Sequence, residues 1–275
     1  MKRKPTFKTS CISRIFGTFA QKEFPTPIQK IINQTYTKLM RVDLKECDDA
    51  TSYASLNALF TRKLNVARVL EGNENTFISP CDGFISEAGV AENDQVLQIK
   101  GFSYNYKELL GDYVGKENRD KLSNGTYINF YLSPKDYHRY HSPIDMRISK
   151  AVHIPGKLYP VNLKWLQKIP SLFIENERVV LECYTKDDKL FYMVFVGALN
   201  VGKMRFTFDE SIQTNAKTSS QQFYMYKNVE LEKGDELGRF EMGSTIVMFF
   251  ETNSVDLKVK RDTSICFGQS VAQKI

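Results

Sequence analysis

The chain has 275 residues, 42% of them apolar, enough for one sizeable core, and this excludes a wholly disordered protein. Its longest apolar run, 191–199, is nine residues with a glycine among them, which excludes a bilayer-spanning helix. The net charge of +6 is uneven: residues 1–41 hold nine Lys and Arg against Glu23 alone, so this leader carries +8 and the rest −2. Such a leader suits nucleic acid, an anionic membrane or solvent, and charge alone does not separate them.

Within the leader, Cys11, Ile12, Ile15, Phe16 and Phe19 follow helical spacing, as do Ile28, Ile31, Ile32, Tyr36 and Leu39 after the Pro25-Thr26-Pro27 break. Two basic amphipathic helices are expected, the kind that lies at a lipid interface, although the same pattern serves a helix pair packed on its own core. Arg14 interrupts the apolar region that a secretory signal needs. A basic, acid-poor leader is also the composition of a mitochondrial transit peptide, but the compact chain favours a bacterial-type protein without a cleaved leader. A third amphipathic helix is expected over 52–64, with Ser52 as its N-cap and Tyr53, Leu56, Leu59, Phe60 and Leu64 on one face.

After the linker-like segment 71–75 the texture changes. Period-2 segments separated by turn residues predict strands over 83–91, 95–100, 126–133, 178–185, 189–196, 237–242 and 245–251, with short helices over 106–110 and 163–167. The fold class is therefore α+β: a β-rich, mainly antiparallel sheet core at 71–275 preceded by a helical, membrane-associating region at 1–70. No Rossmann or P-loop glycine pattern is present. The five cysteines, Cys11, Cys47, Cys81, Cys183 and Cys266, are odd in number and never form a C-x-x-C pair, which argues against a disulfide scaffold or zinc ribbon and fits a reducing compartment.

Chemistry-bearing residues cluster in few places. His138 and His141 lie in YLSPKDYHRYHSP, 131–143; in a turn or short helical piece that spacing puts them on one side. With no third ligand in view no metal site is expected, and acid-base work by one imidazole with substrate handling by the other fits better. His153, alone in AVHIP, reads as structural. Asp82 sits in the Ser79-Pro80-Cys81-Asp82-Gly83 turn that enters a strand. Gly243-Ser244-Thr245 stands at the junction of the last two long strands, where glycine leaves its carbonyl open to the Ser244 hydroxyl. A serine, a histidine and an aspartate on separate segments are what a nucleophile, its base and the base's orienting carboxylate require.

Four stretches taken together, SPCDG (79–83), YLSPKDYHRYHSP (131–143), VGALNVG (196–202) and GRFEMGST (238–245), resemble the phosphatidylserine decarboxylase family, in that family's order. Met242 stands where many members have Leu, and Cys81 where Ala is frequent. The resemblance implies a zymogen that cuts itself between Gly243 and Ser244 into chains 1–243 and 244–275. Asp82, His141 and Ser244 are implied as the self-cleavage triad, and His138 as the residue for substrate contact and decarboxylation. Ser244 is implied to become a covalent pyruvoyl cofactor, which forms a Schiff base with phosphatidylserine and leads to phosphatidylethanolamine and CO2. The implied setting is the cytoplasmic side of the cell membrane, as a peripheral protein on an anionic surface, with no nucleic acid bound and the two chains held together. Homodimers occur in the family, and no residue here carries a signature of one. Two rival readings stand beside it: a serine hydrolase using Asp82, His141 and Ser244 on an external ester, and a non-enzymatic β-rich membrane-binding module. The first lacks the G-x-S-x-G elbow, and neither accounts for four motifs in order.

Overall fold

The computed structural model describes residues 15–99, 101–199, 203–215, 220–241 and 244–275. Cys11, Ile12 and Gly243 thus lie outside the described residues. Residues 15–21 are helical (α1). The next helix, α2 (Thr26–Met40), begins behind Pro25, with Pro27 in its first turn where a missing N–H costs nothing, and ends at Arg41 in the left-handed conformation.

The face that α2 turns inward is mixed: Ile32 and Tyr36 pack against Ala20, Leu56 and Leu59, and two polar residues go in beside them. Gln29 and Asn33 are buried; Gln29 Nε2 donates to Asn33 Oδ1 (2.8 Å), and Asn33 Nδ2 donates to the carbonyls of Ala50 (3.0 Å) and Tyr53 (2.9 Å). Ile28, Ile31 and Leu39, from the expected apolar stripe, are 50%, 64% and 72% exposed.

The single third helix expected over 52–64 is instead two pieces. A 3-10 turn at Ala50–Ser52 is capped by Asp49, which accepts from Thr51 N, and α3 (Leu56–Phe60) is capped by Ser55, whose hydroxyl accepts from Ala58 N. Two successive caps leave Tyr53 extended between them, so the helix cannot run through.

Beyond residue 70 the chain forms β1 (Thr76–Ile78), β2 (Gly83–Val90), β3 (Gln95–Ile99), β4 (Phe102–Asn105), α4 (Tyr106–Leu110), α5 (Lys116–Asp120) and β5 (Thr126–Leu132). Then come β6 (Arg139–His141), β7 (Met146–Ile154), α6 (Leu163–Leu166), α7 (Leu172–Glu175), β8 (Arg178–Thr185), β9 (Leu190–Val196) and β10 (Met204–Phe206). The last elements are β11 (Gln222–Leu231), β12 (Glu236–Phe240), β13 (Ser244–Phe250), β14 (Val255–Leu257), β15 (Thr263–Ile265) and β16 (Ser270–Lys274). The α+β class is borne out, with an eight-stranded sheet in the order β11-β7-β8-β9-β13-β5-β2-β15 at its centre. Smaller sheets β1-β16-β14, β10-β12-β6 and β3-β4 pack around it, and pairing between the named strands is antiparallel throughout.

The centre of the large sheet is covered on both faces. Every residue of β9 and β13 is buried, which is why these two runs read as nearly continuous apolar sequence. Phe77 meets Phe191 and Phe250 edge-on at 5.3 and 5.0 Å, and Tyr140 packs on Phe195 and Phe240 at 4.5 and 4.8 Å. Each fully buried ring of this kind contributes about 1.5–3 kcal/mol. The outer strand β11 alternates exposed and half-buried residues, its polar composition masking the period that would have announced it.

Candidate active site

One end of the large sheet gathers the described parts of the four sequence motifs. Antiparallel strands alternate in direction, so the start of β13, the end of β5, the start of β2 and the end of β9 fall on the same edge. Ser244 pairs with Leu132, Thr245 with Tyr131 on one side and Val196 on the other, and Phe84 with Tyr131. Gly83 lies so close to β5 that a Cβ there would stand 2.4 Å from the Tyr131 carbonyl oxygen, a spacing only glycine permits. Residues 197–199, the described part of VGALNVG beyond β9, leave the strand at this edge, held by Asn176, whose side chain donates to the Gly197 carbonyl (2.8 Å). His153 bonds Glu177 (2.8 Å) in the interior, a structural pair.

Ser244 opens β13 rather than sitting in the turn before it. It is fully buried, and its hydroxyl has no hydrogen-bond partner among the described residues; the same holds for Thr245. A buried hydroxyl without a partner costs about 1–3 kcal/mol, so this serine carries an uncompensated polar atom into the centre of the fold. Just upstream Glu241 is buried and gripped by Gln21 of α1 (3.1 Å) and Arg205 of β10 (3.4 Å), which ties the leader to the segment that enters 242–243.

His138 and His141 do not share a side. Residues 139–141 form a strand, and in extended backbone side chains three apart point to opposite faces, so the expectation based on helical spacing is corrected. His138 lies against Phe60 of α3, ring centroids 3.9 Å apart, and its carbonyl accepts from Phe240 N (2.9 Å) at the end of β12. Its Nδ1–H donates to the Asp136 carbonyl (2.8 Å), which leaves the Nε2 lone pair buried and, among the described residues, without a partner. Burial lowers its pKa to about 3, with the positive charge of Arg62 acting in the same direction and the Asp136 bond opposing. The ring is therefore neutral at neutral pH, with the Nε2 lone pair open to a donor.

His141 faces the other way, stacked on Phe267 at 3.7 Å beside a cavity of about 480 Å³ lined by Lys63, Arg68, Tyr137 and Gly234 among others. Both ring nitrogens are occupied: Nδ1–H donates to the Gly234 carbonyl (2.8 Å), and Nε2 accepts from the Tyr137 hydroxyl (3.1 Å). Burial lowers its pKa, and the Gly234 bond partly opposes this. Asp82 shares that neighbourhood, because Phe267, whose ring covers His141, donates its backbone N–H to Asp82 (2.8 Å). The Asp82 carboxylate is otherwise taken by Arg68, which grips both of its oxygens and reaches Glu46 as well (2.6 Å). His141 thus lines the cavity while Asp82 stands behind it, linked to its lining through Arg68 and the Phe267 backbone and not bonded to His141, and Ser244 does not line it.

Reading the residues alone missed Arg68, Tyr137 and Phe267. Tyr137 was within reach, since it lies four before His141 and even spacing on extended chain shares a face. Arg68 and Phe267 meet Asp82 from 14 and 185 positions away, which no local pattern encodes. Among the described residues no cluster of His, Cys, Asp and Glu has the makings of a metal site.

Comparison with known proteins agrees with the motifs. Residues 56–273 match the family described as phosphatidylserine decarboxylase. The chain is 47% identical over 268 residues to the phosphatidylserine decarboxylase proenzyme of Helicobacter pylori (strain Shi470), covering 96% of this chain and 97% of that one. It is 48% identical over 265 residues to the Campylobacter jejuni proenzyme, covering 94% and 97%, and 34% identical over 271 residues to that of Stutzerimonas stutzeri, covering 95% and 90%.

Proposed function

This chain belongs to the phosphatidylserine decarboxylase family, and on that premise we propose that it is a self-cleaving proenzyme whose mature form converts phosphatidylserine to phosphatidylethanolamine and CO2. The observation that carries the site assignment is Ser244, a buried and unpartnered hydroxyl directly after a glycine at the head of the central strand. In the cleavage step its Oγ attacks the Gly243 carbonyl carbon, the peptide C–N bond breaks and an ester forms. Loss of the Ser244 Cα proton then expels Gly243 as a carboxylate, and addition of water to the resulting imine releases ammonia and leaves a ketone.

The residues present fit a pyruvoyl group: it needs no binding pocket beyond Ser244 itself, whose side chain already occupies a site that offers the hydroxyl no partner. When formed, the group supplies a carbonyl that takes up the substrate amine and accepts the electron pair left by CO2. In our reading His138 serves that reaction, because Nε2 is open and a proton taken up there is readily passed on. His141 with Asp82 serves cleavage, for which Tyr137 must first release Nε2 and Arg68 must yield part of Asp82. A second reading makes His138 the base for Ser244 as well, favoured by its open Nε2, which needs no such exchange.

Intact-mass analysis tests the function. Two chains, 1–243 and 244–275, are expected, the smaller with a carbonyl that hydroxylamine traps; a single chain with an unmodified serine would defeat the proposal. The small chain would stay bound, since it contributes β13 to the middle of the large sheet, β15 to its edge and β16 beside β1.

The membrane role rests on α2. With Gln29 and Asn33 turned inward, its exposed Ile28, Ile31 and Leu39 are free to enter an anionic lipid surface on the cytoplasmic face while Lys30 and Lys38 meet head groups. The variant Ile28→Ser, Ile31→Ser, Leu39→Ser is expected to sediment with phosphatidylglycerol liposomes at least about tenfold more weakly, at unchanged thermal stability. Equal sedimentation by this variant would remove α2 from the interface.

A further inference from the structure

Arg62 is buried, 4% exposed, yet among the described residues it meets no carboxylate. One nitrogen, Nη2, donates to the carbonyls of Lys135 (2.9 Å) and Asp136 (3.2 Å), and the Cys47 thiol lies within hydrogen-bonding reach of the guanidinium, while among the described residues Nε and Nη1 are buried without an oxygen or nitrogen partner. The neighbouring groups do not neutralise it. Burial raises the pKa of the nearby Cys47 thiol and Tyr36 hydroxyl, so both stay uncharged, and the Asp136 carboxylate is turned away to the N–H and hydroxyl of Ser133, each at 2.7 Å. A guanidinium cannot shed its proton to escape burial, so an unpaired one is expensive unless an anion arrives.

Its position says where that anion sits. The Asp136 carbonyl that accepts from Arg62 Nη2 also accepts from His138 Nδ1–H, so guanidinium and imidazole flank one oxygen. Both carry unpartnered buried nitrogens, Nε and Nη1 on the one and Nε2 on the other. We propose, on the reading of the substrate given above, that Arg62 is the counter-ion of the headgroup phosphodiester and holds it beside His138. The serine carboxylate is the poorer partner. Its charge vanishes as CO2 leaves, so pairing it would stabilise the ground state more than the transition state, whereas the phosphodiester keeps its charge throughout. Two further N–H groups in a fixed fork match phosphate oxygens.

The experiment compares glycerophosphoethanolamine, ethanolamine and inorganic phosphate as ligands of the native protein and of Arg62→Gln and Arg62→Lys, by calorimetry and by inhibition of decarboxylation. Native protein should bind glycerophosphoethanolamine at least about tenfold more tightly than either fragment. Arg62→Gln should lose that preference, bind ethanolamine as before and raise KM more than it lowers kcat, while Arg62→Lys keeps part of it. Self-cleavage, read by mass, should be unchanged in both. A native protein that does not favour the phosphodiester overturns the proposal whatever the variants do. So does an Arg62→Gln protein that remains uncut or weakens all ligands alike, since Arg62 is then only a brace for the 133–138 loop. If native protein neither cleaves nor decarboxylates, the functional reading fails, and the calorimetric preference still decides the role of Arg62.

Discussion

Replacing Ser244 by alanine is expected to yield one uncut chain of full length, with decarboxylation lower by at least about 10³-fold. The size of the effect follows from the two roles proposed for Ser244, nucleophile for the cut and source of the carbonyl group, which together leave no residual route. Folding should not suffer. The alanine removes a hydroxyl that is buried without a partner, and its loss should leave the protein as stable or more stable by about 1 kcal/mol. Intact mass, a decarboxylation assay and a thermal melt on one preparation check all three. A cut or active Ser244→Ala protein would end the proposal, and a marked drop in melting temperature would mean that the hydroxyl has a structural partner.

The second large effect separates the two histidines. His138→Ala is expected to cleave fully and to lose about 10²-fold or more in CO2 release, because the open Nε2 proposed to serve that step is gone. His141→Ala is expected to remain uncut, since it removes the imidazole proposed to act with Asp82, which the Phe267 backbone ties to the same neighbourhood. The reverse pattern, an uncut His138→Ala and a cut His141→Ala, would give the cleavage proton to His138 and leave His141 as part of the Tyr137–Phe267 packing. The backbone contacts of both positions, His138 O with Phe240 N and His141 N with Pro80 O, survive either substitution, so differences between the variants report on the rings.

Much of the architecture was legible beforehand because it is carried by short-range pattern. The run of β9 and β13 is apolar enough to announce central strands, and Pro27 marks the first turn of α2. Strands of three residues such as β6, β14 and β15 are too short for periodicity to show. The missed side of His138 has the same origin: a spacing of three means one face in a helix and two faces in a strand, and the residues 137–141 do not declare which they form. For α2 the apolar stripe was correctly found, but which side of the helix meets protein depends on Asn33 reaching the carbonyls of Ala50 and Tyr53, 17 and 20 residues on.

What the sequence determined by itself was the family resemblance, the antiparallel β-rich core, the basic amphipathic leader, and Ser244, Asp82, His138 and His141 as the residues to examine. These rest on composition, local period and motif order, all readable along the chain. Only the tertiary structure decided that the described parts of the four motifs meet at one edge of the large sheet, that Asp82 is held by Arg68 rather than by a histidine, and that Arg62 lies buried beside His138 without a counter-charge among the described residues. The reason is physical: hydrogen bonds and ion pairs between distant segments, and the desolvation that makes an unpaired group expensive, depend on which strands lie side by side, and strand order is set by the packing of the whole core.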